Sequence, residues 1–107
     1  MMDEHLLFEV ETPLGFTVRC TKVYWQRLIL KHPPLAERLE AVKQTLIDPL
    51  EVRRSKQDDD VLLFYNEDGE RWICAVTRRL NGDGFLITAY PTDAIKQGVV
   101  IWTQDDE

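Results

Sequence analysis

Residues 61–90 read "VLLFYNEDGERWICAVTRRLNGDGFLITAY". Three apolar runs, "VLLFY", "RWICAVTRR" and "GFLITAY", are separated by "EDGE" and "NGDG". The runs are rich in β-branched and aromatic residues, which fit a pleated, half-buried surface. The separators contain Asp-Gly and Asn-Gly, pairs that tolerate the positive φ of tight hairpin turns. Connections this short cannot carry a parallel crossover, so the strands are predicted to form an antiparallel meander. "EVRRS" (51–55) supplies one strand more, which makes four.

Upstream the period changes. In "TKVYWQRLILKH" (21–32), Trp25, Leu28, Ile29 and His32 fall at i, i+3, i+4 and i+7, one face of a helix. Thr21 is its N-cap candidate. "PLAERLEAVKQTLID" (34–48) is predicted to be a second helix, with Pro34 in its first turn and Leu35, Leu39, Val42 and Leu46 as its apolar stripe. Asp48-Pro49 ends it. "LLFEVETPLGFTVRCT" (6–21) reads as a hairpin around "TPLG". "TDAIKQG" (92–98) reads as a short helical turn, "VVIW" (99–102) as a last strand, and the acidic tail as frayed. The expected fold is a single α+β domain over 1–107. An N-terminal hairpin and two helices pack on one face of a four-stranded antiparallel meander.

The bulk composition narrows the function. The chain has 107 residues, 44% hydrophobic and 30% charged, as an ordinary globular domain has. No apolar run reaches membrane-helix length. The first residues carry acids where a signal peptide carries bases, so a cytoplasmic protein is expected. Cys20 and Cys74 lie far apart in sequence, and both are expected to be reduced and buried. The net charge of −6 argues against non-specific binding to duplex nucleic acid. Yet "LKH", "VRRSK" and "TRR" are locally basic, and an acidic protein can still carry a basic groove.

The residues with chemical potential each have a bland reading and a sharp one. His32 ends a helix just before "PP". It is either a satisfied interface histidine or a general acid or base. Arg53 and Arg54 either guard an edge strand or bind phosphate through their planar donors. Thr88 and Tyr90, two residues apart, are either good strand formers or hydroxyls that bind a phosphate. Their strand is expected to turn Phe85, Ile87 and Ala89 toward the helices. Lys96 adds a cation. There is no P-loop or dinucleotide fingerprint, and no Cys/His cluster has metal-ligand spacing. No metal or cofactor is therefore expected.

"HPPL", "DPLEVRRS" and "ITAYPTD", in this order and with the intervening strands, resemble small phage- and bacterium-associated members of the barnase–EndoU–colicin–RelE-like (BECR) nuclease superfamily. The likeness covers about residues 15–102. It implies two helices before a four-stranded antiparallel sheet. It also implies metal-independent RNA cleavage, in which a ribose 2′-hydroxyl attacks the adjacent phosphorus to leave a 2′,3′-cyclic phosphate. On this resemblance His32, Arg53, Arg54 and Thr88 would be catalytic. Ser55, Tyr90 and Lys96 would hold the substrate. The alternative is a non-catalytic module of the same fold that binds RNA or a protein partner. The net charge, unlike that of the superfamily's basic toxins, fits a narrow RNA substrate or a domain without catalysis. A toxin held by an antitoxin is a further form of the enzyme reading.

Overall fold

The computed structural model describes residues 5–95 and 97–104. The chain is α+β. Its elements are β1 (Leu6–Glu11), β2 (Thr17–Thr21), α1 (Lys22–Lys31), a 3-10 turn (Pro33–Glu37), α2 (Leu39–Ile47), β3 (Glu51–Arg54), β4 (Val61–Asp68), β5 (Arg71–Leu80), β6 (Asp83–Thr92) and β7 (Val99–Thr103). The meander β3–β4–β5–β6 is antiparallel throughout, and the "NG" turn between β5 and β6 has positive φ at Asn81 and Gly82. This double positive φ matches the right-handed twist of the strands it joins.

The sheet is larger than the predicted four strands. It has seven, in the order β1-β2-β6-β5-β4-β3-β7, and it is mixed. The N-terminal hairpin does not pack on the sheet. It extends it, because β2 runs parallel to β6 over Thr17–Arg19. Two side-chain contacts fasten that short pairing. Arg19 meets Asp83 at 2.8 Å, and the Thr17 hydroxyl donates to Asp83 at 3.2 Å. Both contacts favour the charged form and hold the Asp83 carboxyl below the usual carboxylate pKa. At the other edge β7 pairs antiparallel with β3.

α1 begins where expected, with the Thr21 hydroxyl accepting from the Tyr24 N–H. The second helix is shorter than its apolar stripe suggested. Pro33 and Pro34 lack N–H groups, so the chain after His32 makes a 3-10 turn, and Arg38 breaks it before α2. The stripe still packs, with Leu35, Val42 and Leu46 fully buried. The segment 92–98 contains no helix among its described residues.

The two sheet faces differ. On the helix side Phe8, Phe16, Val18, Trp25, Leu28 and Phe64 belong to the main core. On the other side Leu63, Tyr65, Cys74 and Val76 form a smaller cluster, against which Ile87, Tyr90 and Ile95 pack. The expected orientation of β6 needs correction. Val76 pairs with Thr88 but Thr77 pairs with Leu86, so Ile87 is an extra residue in a bulge. One added residue flips the alternation. Leu86 and Ala89 therefore face the helices, Ile87 faces away, and Phe85 is left 43% exposed.

Candidate functional site

β3 to β6 pair in register across the face that the helices leave open. One row is Arg53, Leu63, Val76 and Thr88; the next is Glu51, Tyr65, Cys74 and Tyr90. Thr88 and Tyr90 do share this face. Over it lies a cleft of about 540 Å³, whose lining includes Ser55, Lys56, Leu63, Val76, Tyr90 and Gly98. Gly98 closes one wall. It has φ +86°, and a Cβ there would sit 2.7 Å from the Arg54 carbonyl oxygen and 3.1 Å from the Arg53 Cβ. Only glycine allows this approach.

Four of the sequence-predicted residues thus meet at or beside the cleft: Ser55 and Tyr90 in its lining, and Thr88 and Arg53 paired with the lining residues Val76 and Leu63. Arg53 points to the same face but lies three strands from Thr88, about 14 Å at ordinary strand spacing. Its guanidinium is hydrogen-bonded to the Glu51 carboxylate, which offsets its charge. Arg54 alternates to the helix side with Val52, and its nearest ion-pair partner is the exposed Asp59 at 3.7 Å. Lys96 lies outside the described residues.

His32 is not in the cleft lining. It caps the C-terminus of α1: its N–H donates to the Leu28 carbonyl at 2.8 Å, and its carbonyl accepts from the Leu35 N–H at 2.9 Å. The edge of β6 beyond Phe85 has no strand neighbour among the described residues, and α1 touches it through the Tyr24 hydroxyl, which donates to the Ile87 carbonyl at 2.5 Å. His32 is two turns further on, about 12 Å along the helix. The following Pro34 and Leu35 share a surface cleft with Ile73 and Pro91. No hydrogen bond, ion pair or shared cleft among the described residues joins His32 to an arginine of "RRS" or to Thr88, the single site that the sequence suggested at the helix–sheet junction. The helix that ends at His32 packs on the helix side, toward which Arg54 also turns, whereas Arg53 and Thr88 lie on the open face.

The sequence reading missed Lys56, Gln57 and Gln97, which also line the cleft. A signal for Lys56 existed in the charge pattern. "SKQDDD" follows "RR", and the acids serve the arginines: Asp58 bonds Arg78 at 2.7 Å and Asp59 takes Arg54. Lys56 is in no ion pair among the described residues. Ser55 shapes the loop, its hydroxyl accepting from the Gln57 N–H at 3.1 Å and its N–H donating to the Val61 carbonyl.

Beneath the cleft the protonation states are set by burial. Desolvation pushes the Cys74 thiol up to about 11, against the opposing effect of the neighbouring Tyr90 and Tyr65 hydroxyls. Burial also raises both tyrosines well above the ordinary phenol value, and the neighbouring thiol adds to this. At neutral pH all three remain protonated. They are neutral hydrogen-bond donors and not bases or nucleophiles. The other cysteine, Cys20, lies in the helix-side core, so the two free thiols sit on opposite faces of the sheet.

A wider cleft of about 750 Å³ opens between β2 and β6, walled by Leu6, Tyr24, Leu80 and Phe85. It holds none of the predicted residues, and its cation, Arg19, is spent on Asp83. Size alone thus selects the less reactive site. No described helix is long and apolar enough to cross a membrane. Comparison of the chain with family models, curated proteins and solved structures returned no match.

Proposed function

We propose that this chain is a ribonuclease-like domain that holds the sugar–phosphate backbone of RNA in the open-face cleft, and that recognition is what its geometry supports best. The observation that carries the reading is the chemistry of the lining. In a chain of net charge −6, the cleft walls hold a lysine with no described ion-pair partner, a serine and a tyrosine, and no carboxylate among the described residues. Hydroxyls and a cation are the groups that contact phosphate and sugar oxygens. Tyr90, kept protonated, donates to an anion and repels none.

Cleavage is the second reading, and one observation favours it. The Tyr24 hydroxyl of α1 donates to the Ile87 carbonyl of β6, which joins the helix that ends at His32 to the strand that carries Thr88 and Tyr90. An RNA strand that crosses this junction would bring a ribose toward His32. There imidazole would take the 2′-hydroxyl proton as the 2′-oxygen attacks the adjacent phosphorus, and the 5′-oxygen would leave with a proton from water.

The test is incubation of the purified chain with transfer RNA and total cellular RNA in EDTA, beside His32→Ala purified identically, with binding followed in parallel. Recognition predicts binding by both proteins and no cleavage by either. Cleavage by the parent alone establishes the nuclease reading and puts His32 in the reaction. Absence of binding by both removes RNA as the ligand.

A further inference from the structure

The ion pairs of this chain leave a pattern. Arg19, Arg38, Lys43, Arg53, Arg54, Arg71 and Arg78 all have carboxylate partners within 4 Å, and Arg79 lies over the Phe16 ring. The described cations left without either kind of partner are Lys22, Arg27, Lys31 and Lys56. Lys56 lines the open-face cleft. The other three belong to α1, which contains no acidic residue at all. An acidic chain has thus placed three of its four described unpartnered cations on one ten-residue helix.

The same helix leaves two aliphatic side chains in water. Leu30 is 82% exposed and Val23 66% exposed, more than any other large hydrophobic residue described. They are seven residues apart, so they lie on one stripe, about 10 Å from each other along the axis. With Lys22, Gln26 and Arg27 they border a shallow surface groove of about 350 Å³. The opposite face of α1, through Trp25 and Leu28, is already used by the core. Paired exposed aliphatics at helical spacing, flanked by cations, are the complement of one kind of surface.

We infer that the outer face of α1 docks an acidic amphipathic helix of a partner protein, with apolar side chains of that helix seated between Val23 and Leu30 and its carboxylates against Lys22, Arg27 and Lys31. Charge decides against a second copy. Two α1 helices packed antiparallel with Val23 on Leu30 would bring Lys22 against Lys31, and packed parallel they would bring each cation against itself. Like charges so placed destabilise an interface. Nucleic acid would use the cations but would gain nothing from Val23 and Leu30. This surface is separate from the open-face cleft and does not depend on the proposal made for it.

The test uses the full chain, isotope-labelled, and a synthetic helix of about three heptads with Leu on one stripe and Glu on both flanks. The comparison probes are the same peptide with Lys for Glu, vesicles of phosphatidylglycerol, and a short single-stranded RNA. Docking predicts amide shifts confined to α1 with the acidic peptide. It also predicts affinity about tenfold weaker in Leu30→Gln and in Arg27→Glu, and weaker again as salt rises. Leu30 and Arg27 are exposed, so both variants fold, which their spectra verify. The inference is overturned if the acidic peptide moves no α1 resonance, if the basic peptide acts equally, or if vesicles or RNA perturb α1 more strongly.

Discussion

The helix side of the sheet buries Phe64, Ile73 and Ala75 under two helices, whereas the other side covers Tyr65, Cys74 and Val76 with the segment around Ile95. The first face is apolar in almost every member. The second mixes aliphatics with two phenols, a thiol and a Glu51–Arg53 pair. Full cover asks for shape and apolarity; partial cover leaves room for groups that bind. The two faces should accordingly respond differently to mutation.

The largest effect should fall on the covered side. Phe64 is fully buried and contacts Phe16 edge-on, with centroids 6.3 Å apart. Phe64→Ala should cost about 3–5 kcal/mol in chemical denaturation, and Tyr65→Phe on the open side well under half of that. Equal costs would mean that the open face is an ordinary core. Next comes the wall of the cleft. Gly98→Ala forces a Cβ against the Arg54 carbonyl at positive φ, and should destabilise by about 1–3 kcal/mol while weakening RNA binding. Unchanged affinity in a folded Gly98→Ala protein would detach that wall from the ligand.

Much of this architecture was legible in the sequence, and the failures have physical causes. The hairpin signals of 61–90 and the Thr21 cap are local, so reading the neighbours was enough. The β2–β6 pairing is not local. It depends on Arg19 and Thr17 meeting Asp83 more than 60 residues away, as the Thr17–Asp83 separation of 66 shows. The bulge at Ile87 leaves no mark in "FLITAY", because every residue there suits either face. The same holds for the candidate site. Thr88 and Tyr90 were placed on one face by period two alone, while the position of His32 depends on where α1 crosses the sheet. The charge pattern marks Lys56 as part of a basic run, and the ion pairs of its neighbours single it out.

A smaller effect separates the faces by pH. The Cys74 thiol ordinarily titrates near 9.0 and is pushed up to about 11 in the folded chain. The folded state therefore binds its proton more tightly. The stability this confers is complete below pH 9 and is lost as pH rises through about 11. Denaturation midpoints should fall across that window, and Cys74→Ala should flatten part of the fall. Buried Cys20, also pushed up to about 11, contributes the same sign from the covered side. A flat profile in the parent would show that neither thiol is desolvated. The smallest effect is a gain. The Thr77 hydroxyl, beside the bulge, is buried with no hydrogen-bond partner. Thr77→Val should stabilise by about 1 kcal/mol, and a loss instead would mean that the hydroxyl has a partner such as bound water.

The measurement closest to the central claim is a titration of the full chain with short single-stranded RNA, read residue by residue by amide shifts, for the parent and for Lys56→Ala. Binding in the open-face cleft predicts shifts at Ser55, Lys56, Tyr90 and Gln97. It also predicts affinity lower by roughly 3- to 10-fold in the variant, with a salt slope shallower by about one. Shifts confined to the helix side, or an affinity indifferent to Lys56, would contradict it.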